Sequence, residues 1–246
     1  MLRATPESAE IPDWVADAVY KLWEELRQFF RAAWSISRRP AGFADNWAQG
    51  GMVSLNPLGF LATSLAFLGV LLQSIRPLLG SSNDDRLWIQ LLDFLSPYLY
   101  YILLGLAAHM ALRLSGSRRP LRGSVAIALY VGGGPAAALT VLTLGMAVLA
   151  LALGAEHEAV FRTIPGWSRW LVTSVFLGGF VAVQLVLARA LKGLHAVSFA
   201  RSIMALMVAL VAVGLFTGAC HYVWHIPTNF GFPHLVVWPP HFLVWY

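Results

Sequence analysis

Thirty consecutive residues without a charge, Ser124 to Leu153, constrain this chain more than any other feature. A helix of that length reaches ~45 Å at 1.5 Å per residue, and the hydrocarbon core of a bilayer is ~30 Å thick. The segment is therefore read as a membrane-spanning helix. Its pattern breaks at Gly132-Gly133-Gly134-Pro135. Glycine disfavours the helix, and proline removes a backbone donor and crowds the preceding turn. Irregular backbone at that depth is tolerated only where protein or a water-filled cavity satisfies it. These four residues are expected to mark a kink or the close approach of a neighbouring helix.

The rest of the chain agrees. Charged residues make up 12%, against about 25% in an ordinary soluble domain. Four more apolar segments run roughly from Pro57 to Leu79, Leu87 to Leu112, Trp170 to Leu191 and Ser202 to Trp224. The expected fold is all-α: a polytopic membrane bundle with five transmembrane helices. Residues 1–56 are expected to form a cytoplasmic segment with an amphipathic helix, 57–224 the transmembrane domain, and 225–246 an extracytoplasmic interfacial tail. Four prolines make that tail irregular; it is aromatic and lacks lysine, arginine, aspartate and glutamate.

Charge supports this threading. Thirteen of the seventeen lysines and arginines fall before the first span, between the second and third, or around the junction of the fourth and fifth. The opposite ends hold Arg76, Arg86, Arg162 and Arg169. Basic residues favour the cytoplasmic side, so the N-terminus is expected in the cytoplasm and the C-terminus outside the inner membrane. The net charge of +5 is thus read as topology and not as a nucleic-acid footprint. The opening residues, MLRATPESAEIPDW, have no apolar core, so the first span is expected to direct insertion.

Residues 11–34 show helical periodicity. Ile11, Val15, Ala18, Leu22, Leu26, Phe29 and Ala33 form a stripe that Trp14, Val19, Trp23 and Phe30 widen. Such a helix either lies in the membrane plane against the body of the protein or docks a partner. Arg38-Arg39-Pro40 is expected to end it, with a linker to follow whose softest point is Gly50-Gly51.

Few residues suggest chemistry. His221 and His225 share a helical face and are candidate metal ligands, with His234 and His241 nearby. The same histidines, beside Trp224, Trp238 and Trp245, also suit an aromatic interfacial belt. His109 is expected near the cytoplasmic face and His221 near the outer face, which argues against one haem between them, and His195 is expected in a solvated loop. Asp93 is the one acid placed inside a span; it is expected to pair with Arg76 or Arg86, or else to relay an ion. Gln184 and Thr140 could bridge helices. A lone cysteine, Cys220, excludes an internal disulfide. No phosphate loop, dinucleotide fingerprint, nucleophile elbow or His-Glu-x-x-His motif occurs, so a non-catalytic role is expected.

The Arg39-Pro40 stop followed by Phe43, Asn56-Pro57 at the entry to five closely spaced spans, and Tyr130 to Pro135 in the third span resemble bacterial members of the Yip1 family. The resemblance covers roughly residues 25–220. It implies a five-span fold with a cytoplasmic N-terminus and the role of a membrane scaffold or adaptor. The Asp-Leu-Tyr-Gly-Pro signature of the eukaryotic branch is absent, so that branch's Rab-GTPase role is not carried over. Expected partners are membrane lipids and other membrane proteins, met through the tail 227–246 and the helix 11–34. A metal- or haem-binding subunit of a respiratory or photosynthetic complex, and a small-molecule or lipid channel, are the alternatives.

Overall fold

The computed structural model describes residues 13–51, 56–75, 87–134 and 166–224. These residues are helices and short connections, with no strand among them. The helices are α1 (Asp13–Arg38), α2 (Pro40–Ala48), α3 (Pro57–Ile75), α4 (Leu87–Leu114), α5 (described over residues 121–134), α6 (Gly166–His195) and α7 (Phe199–Trp224). Helices cover the four flanking apolar segments wherever they are described, and α5 opens the uncharged one. Within α7, Phe199–Ala219 is long and apolar enough to cross a membrane.

The expected linker after Pro40 is in part a helix. Proline confines Arg39 to a non-helical conformation (φ −136°, ψ 63°), and this ends α1. The same ring suits the first position of a helix, where no backbone donor is needed. Pro40 therefore starts α2, which buries Phe43 and Ala44 and packs on α6.

Asn56-Pro57 uses the same physics. The Asn56 side chain accepts from the Gly59 N–H and caps α3, with Pro57 in its first turn. Ser198 caps α7 by accepting from the Arg201 N–H at 3.3 Å.

Three helices end in the same hydrogen-bonded stop, with its central residue in the left-handed region. After α2, Gly51 N–H donates to Asn46 and Gly50 N–H to Trp47, with Gly50 at φ +79°. After α4, Ser117 N–H donates to Leu112 and Gly116 N–H to Arg113, with Gly116 at φ +98°. After α6, Val197 N–H donates to Lys192 and Ala196 N–H to Gly193. Here the left-handed residue is Ala196 (φ 52°), which carries a Cβ that glycine avoids.

A chain of aromatic rings joins the N-terminal helices to the rest. Phe29 of α1 stacks on Phe60 of α3 at 4.8 Å, Phe60 meets Tyr130 of α5 at 5.4 Å, and Phe43 of α2 meets Tyr130 edge-on at 5.1 Å. All four side chains are buried. Each such pair adds ~0.5–1.5 kcal/mol beyond area burial.

α7 is sorted by face. Ser202, Ala205, Leu206, Ala209 and Val213 are buried, while Met204, Met207, Val208, Val211, Leu215 and Phe216 stand exposed. The buried stripe, in which Ser202, Ala205 and Ala209 are small, meets α4 and α6, while Met204, Met207 and Phe216 point outward.

α1 is only partly docked. Phe29, Ala32 and Ile36 are buried, whereas Trp14, Val19, Tyr20, Leu22, Trp23, Phe30 and Trp34 are exposed. The widened stripe read from the sequence therefore divides. A narrow face in the second half of the helix meets the body, and an aromatic face stays open.

Candidate functional site

The site forms where α4 and α6 end and where α5 and α7 begin. His109 lies in the last turns of α4, Ser117 in the connection to α5, Ser124 in the first turn of α5, and His195 at the end of α6. All four lie at or just beyond the ends of apolar helices, and the stops at Gly116 and Ala196 bring those ends together.

The four side chains form one hydrogen-bonded chain. His109 Nδ1 lies 3.1 Å from Ser124 Oγ, Ser124 Oγ 2.8 Å from His195 Nε2, and His195 Nδ1 2.6 Å from Ser117 Oγ. The two imidazole rings are 5.7 Å apart, centre to centre. Ser124 is fully buried, and His109 and His195 are 2% and 5% exposed. Burial, followed by the nearby His109 and Arg119, pushes the His195 imidazole down to about 4, so it is neutral near pH 7.

The direction of the chain follows from its one unmatched atom. Among the described residues, His109 Nε2 has no hydrogen-bond partner. An orphaned buried N–H is rarer than an under-used acceptor, so the His109 proton is assigned to Nδ1. Nδ1–H of His109 then donates to Ser124, the Ser124 hydroxyl donates to His195 Nε2, and His195 Nδ1–H donates to Ser117. Ser117 Oγ also accepts, at 3.5 Å, from the Arg119 backbone N–H. Its own hydroxyl proton is left to point away from the chain.

The chain ends at a cleft of about 540 Å³ lined by Gly116, Ser117, Arg118, Arg119, His195, Ala196, Val197 and Arg201. No carboxylate is in that lining. Among the described residues, the guanidinium groups of Arg118, Arg119 and Arg201 form no ion pair.

This placement corrects the sequence reading of His195. It is not a solvated loop residue but the buried end of α6, because the tight stop at Ala196 turns its ring inward. Sequence reasoning weighed His109 only against His221, rejected that pair, and missed its neighbour His195. The available signal was that His109, Ser117, Ser124 and His195 all fall at the same, basic ends of successive spans.

Two of the other named residues lie at helix contacts. A Cβ on Gly132 would collide with the Tyr101 ring, and one on Gly133 would come within 2.6 Å of Phe60 and 2.8 Å of Ser64. Nothing described lies within 4 Å of a Cβ on Gly134, and α5 runs helical through all three glycines. Pro135, Arg76, Arg86, His225 and the tail 225–246 lie outside the described residues. Asp93 sits in the first two turns of α4 and His221 in the last turn of α7, with side chains outside the described set. Gln184 is buried in α6, and its amide has no hydrogen-bond partner among the described residues. No group of three or more histidine, cysteine or acidic side chains among the described residues could hold a metal ion.

No family model, curated protein or solved structure matches the chain.

Proposed function

We propose that the chain is a five-span inner-membrane protein, with its N-terminus in the cytoplasm and its C-terminus outside, acting as a non-catalytic adaptor for other membrane proteins. The observation that carries the adaptor role is the open face of α1. Val19, Trp23, Phe30 and Trp34 project from one side of that helix, each at least 60% exposed, while Phe29 and Ile36 anchor the other side to the body. An exposed apolar, aromatic face on a helix held to the body by its other side suits the docking of a partner helix. The membrane reading draws support from the lengths of α4, α6 and α7, at 28, 30 and 26 residues, and from the outward apolar face of α7.

Two experiments test this. A photoreactive side chain at Trp23 should crosslink to a discrete membrane protein in living cells, and adducts with lipid alone would remove the adaptor role. With Cys220 replaced by serine, Arg118→Cys should resist a membrane-impermeant maleimide in intact cells and react after lysis. Labelling in intact cells would reverse the threading.

A further inference from the structure

We propose that the cleft between the 115–120 and 196–198 connections is a binding site for a phosphate group, carried by a lipid headgroup or by a soluble phosphate ester. The inference is separate from the adaptor reading and rests on the geometry of the cleft alone.

Three arginines, Arg118, Arg119 and Arg201, line one cavity without a carboxylate among them. Like charges gathered without counter-charge repel one another, and an anion relieves that repulsion. The simpler role for cations here is to offset the negative ends of α4 and α6. Arg113 and Lys192 already occupy the last turns of those helices, and the tight stops satisfy terminal carbonyls through backbone N–H groups. Arg118, Arg119 and Arg201 lie beyond those turns, on the approaches to α5 and within the first turn of α7. Helix starts contribute positive potential and so add to the arginines.

The cleft also has a polar floor. His195, nearly fully buried, lines it and donates through Nδ1 to Ser117 at 2.6 Å. That bond occupies the Ser117 oxygen as an acceptor and leaves its hydroxyl proton free to donate to a group in the cleft. A tetrahedral oxyanion takes several donors at once, and guanidinium groups present theirs in pairs. A volume of about 540 Å³ admits a phosphate with part of what it is bonded to.

The test uses the full chain in neutral detergent and in nanodiscs of phosphatidylcholine. One arm titrates inorganic phosphate and pyrophosphate by calorimetry. The other adds phosphatidylglycerol to the nanodiscs and counts retained lipid by native mass spectrometry. The cleft variant Arg118→Gln/Arg119→Gln/Arg201→Gln is compared with Arg27→Gln/Arg31→Gln/Arg38→Gln, which removes equal charge from α1. Ser117→Ala is a milder second cleft variant. At least tenfold loss in the cleft variant, a smaller loss in Ser117→Ala and retention in the α1 variant are expected. Loss confined to the lipid arm identifies a headgroup site, and loss confined to the phosphate arm a soluble ligand; either supports the site. No binding by the unmodified chain in either arm, or equal loss in both triple variants, overturns it.

Discussion

His195 Nε2 lies 2.8 Å from the hydroxyl of Ser124, 71 residues earlier in the chain. Through that bond and the 3.1 Å contact from Ser124 to His109, the ends of α4 and α6 are tied to the start of α5. A serine is the right size for this position. Its single hydroxyl both donates and accepts, so it can serve two imidazoles at once.

Ser124→Ala removes both bonds and leaves two buried ring nitrogens without their partner. Each unsatisfied buried group costs ~1–3 kcal/mol. The variant is expected to lose ~2 kcal/mol or more, read as a lowered unfolding midpoint in detergent. An unchanged midpoint would mean the chain of hydrogen bonds contributes no net stability.

Acidification should weaken the same region. His195 titrates near 4 when folded, against an ordinary value of 6.5, because burial and its cationic and imidazole neighbours disfavour the charged ring. Between those values the unfolded chain binds more protons, so stability rises with pH across that window. The contribution is complete above pH 6.5 and is lost as pH falls toward 4. Unfolding midpoints measured from pH 4 to 8 should fall on the acid side, and His195→Gln should flatten the slope over the same window. Equal slopes in the two proteins would contradict the assignment.

Gly133 and Gly134 are adjacent and should respond oppositely. Gly133→Ala forces a methyl against Phe60 and Ser64, and overpacking of this kind costs ~1–3 kcal/mol. Gly134→Ala meets nothing described and replaces a poor helix former with a good one, for a gain of up to ~1 kcal/mol. Thermal unfolding of the two single variants distinguishes them. A loss at both positions would show that a kink, and not helix contact, sets the requirement for glycine.

Phe29 and Phe30 form a second such pair. Phe29 is 2% exposed and stacked on Phe60, so Phe29→Ala should cost ~3–5 kcal/mol. Phe30 is 60% exposed, so Phe30→Ser should change stability by no more than ~0.5 kcal/mol. On the adaptor proposal it should also weaken the crosslinking expected from Trp23. Comparing unfolding midpoint with crosslink yield separates anchoring from docking.

Much of the architecture is legible in one dimension. Long uncharged segments fenced by arginines determine where helices run, because a backbone surrounded by apolar side chains satisfies itself through local hydrogen bonds. Asn56-Pro57 marks the start of α3, and the amphipathic period of residues 11–34 marks α1, for equally local reasons. The second role of Pro40 was less visible, since a residue that ends one helix also suits the start of the next.

What only the tertiary structure decided is which polar ends meet. His109, Ser117, Ser124 and His195 are spread over 87 positions, and no local spacing links them. Two helix stops, at Gly116 and Ala196, turn the chain sharply enough to bring them within hydrogen-bond reach. The same holds for α1, whose periodicity identified an apolar helix but could not say which face the body would cover. Periodicity reports only that a residue is apolar and where it points around its own axis. Whether Phe29 or Phe30 is buried depends on where Phe60 stands, and that is set by the packing of other helices.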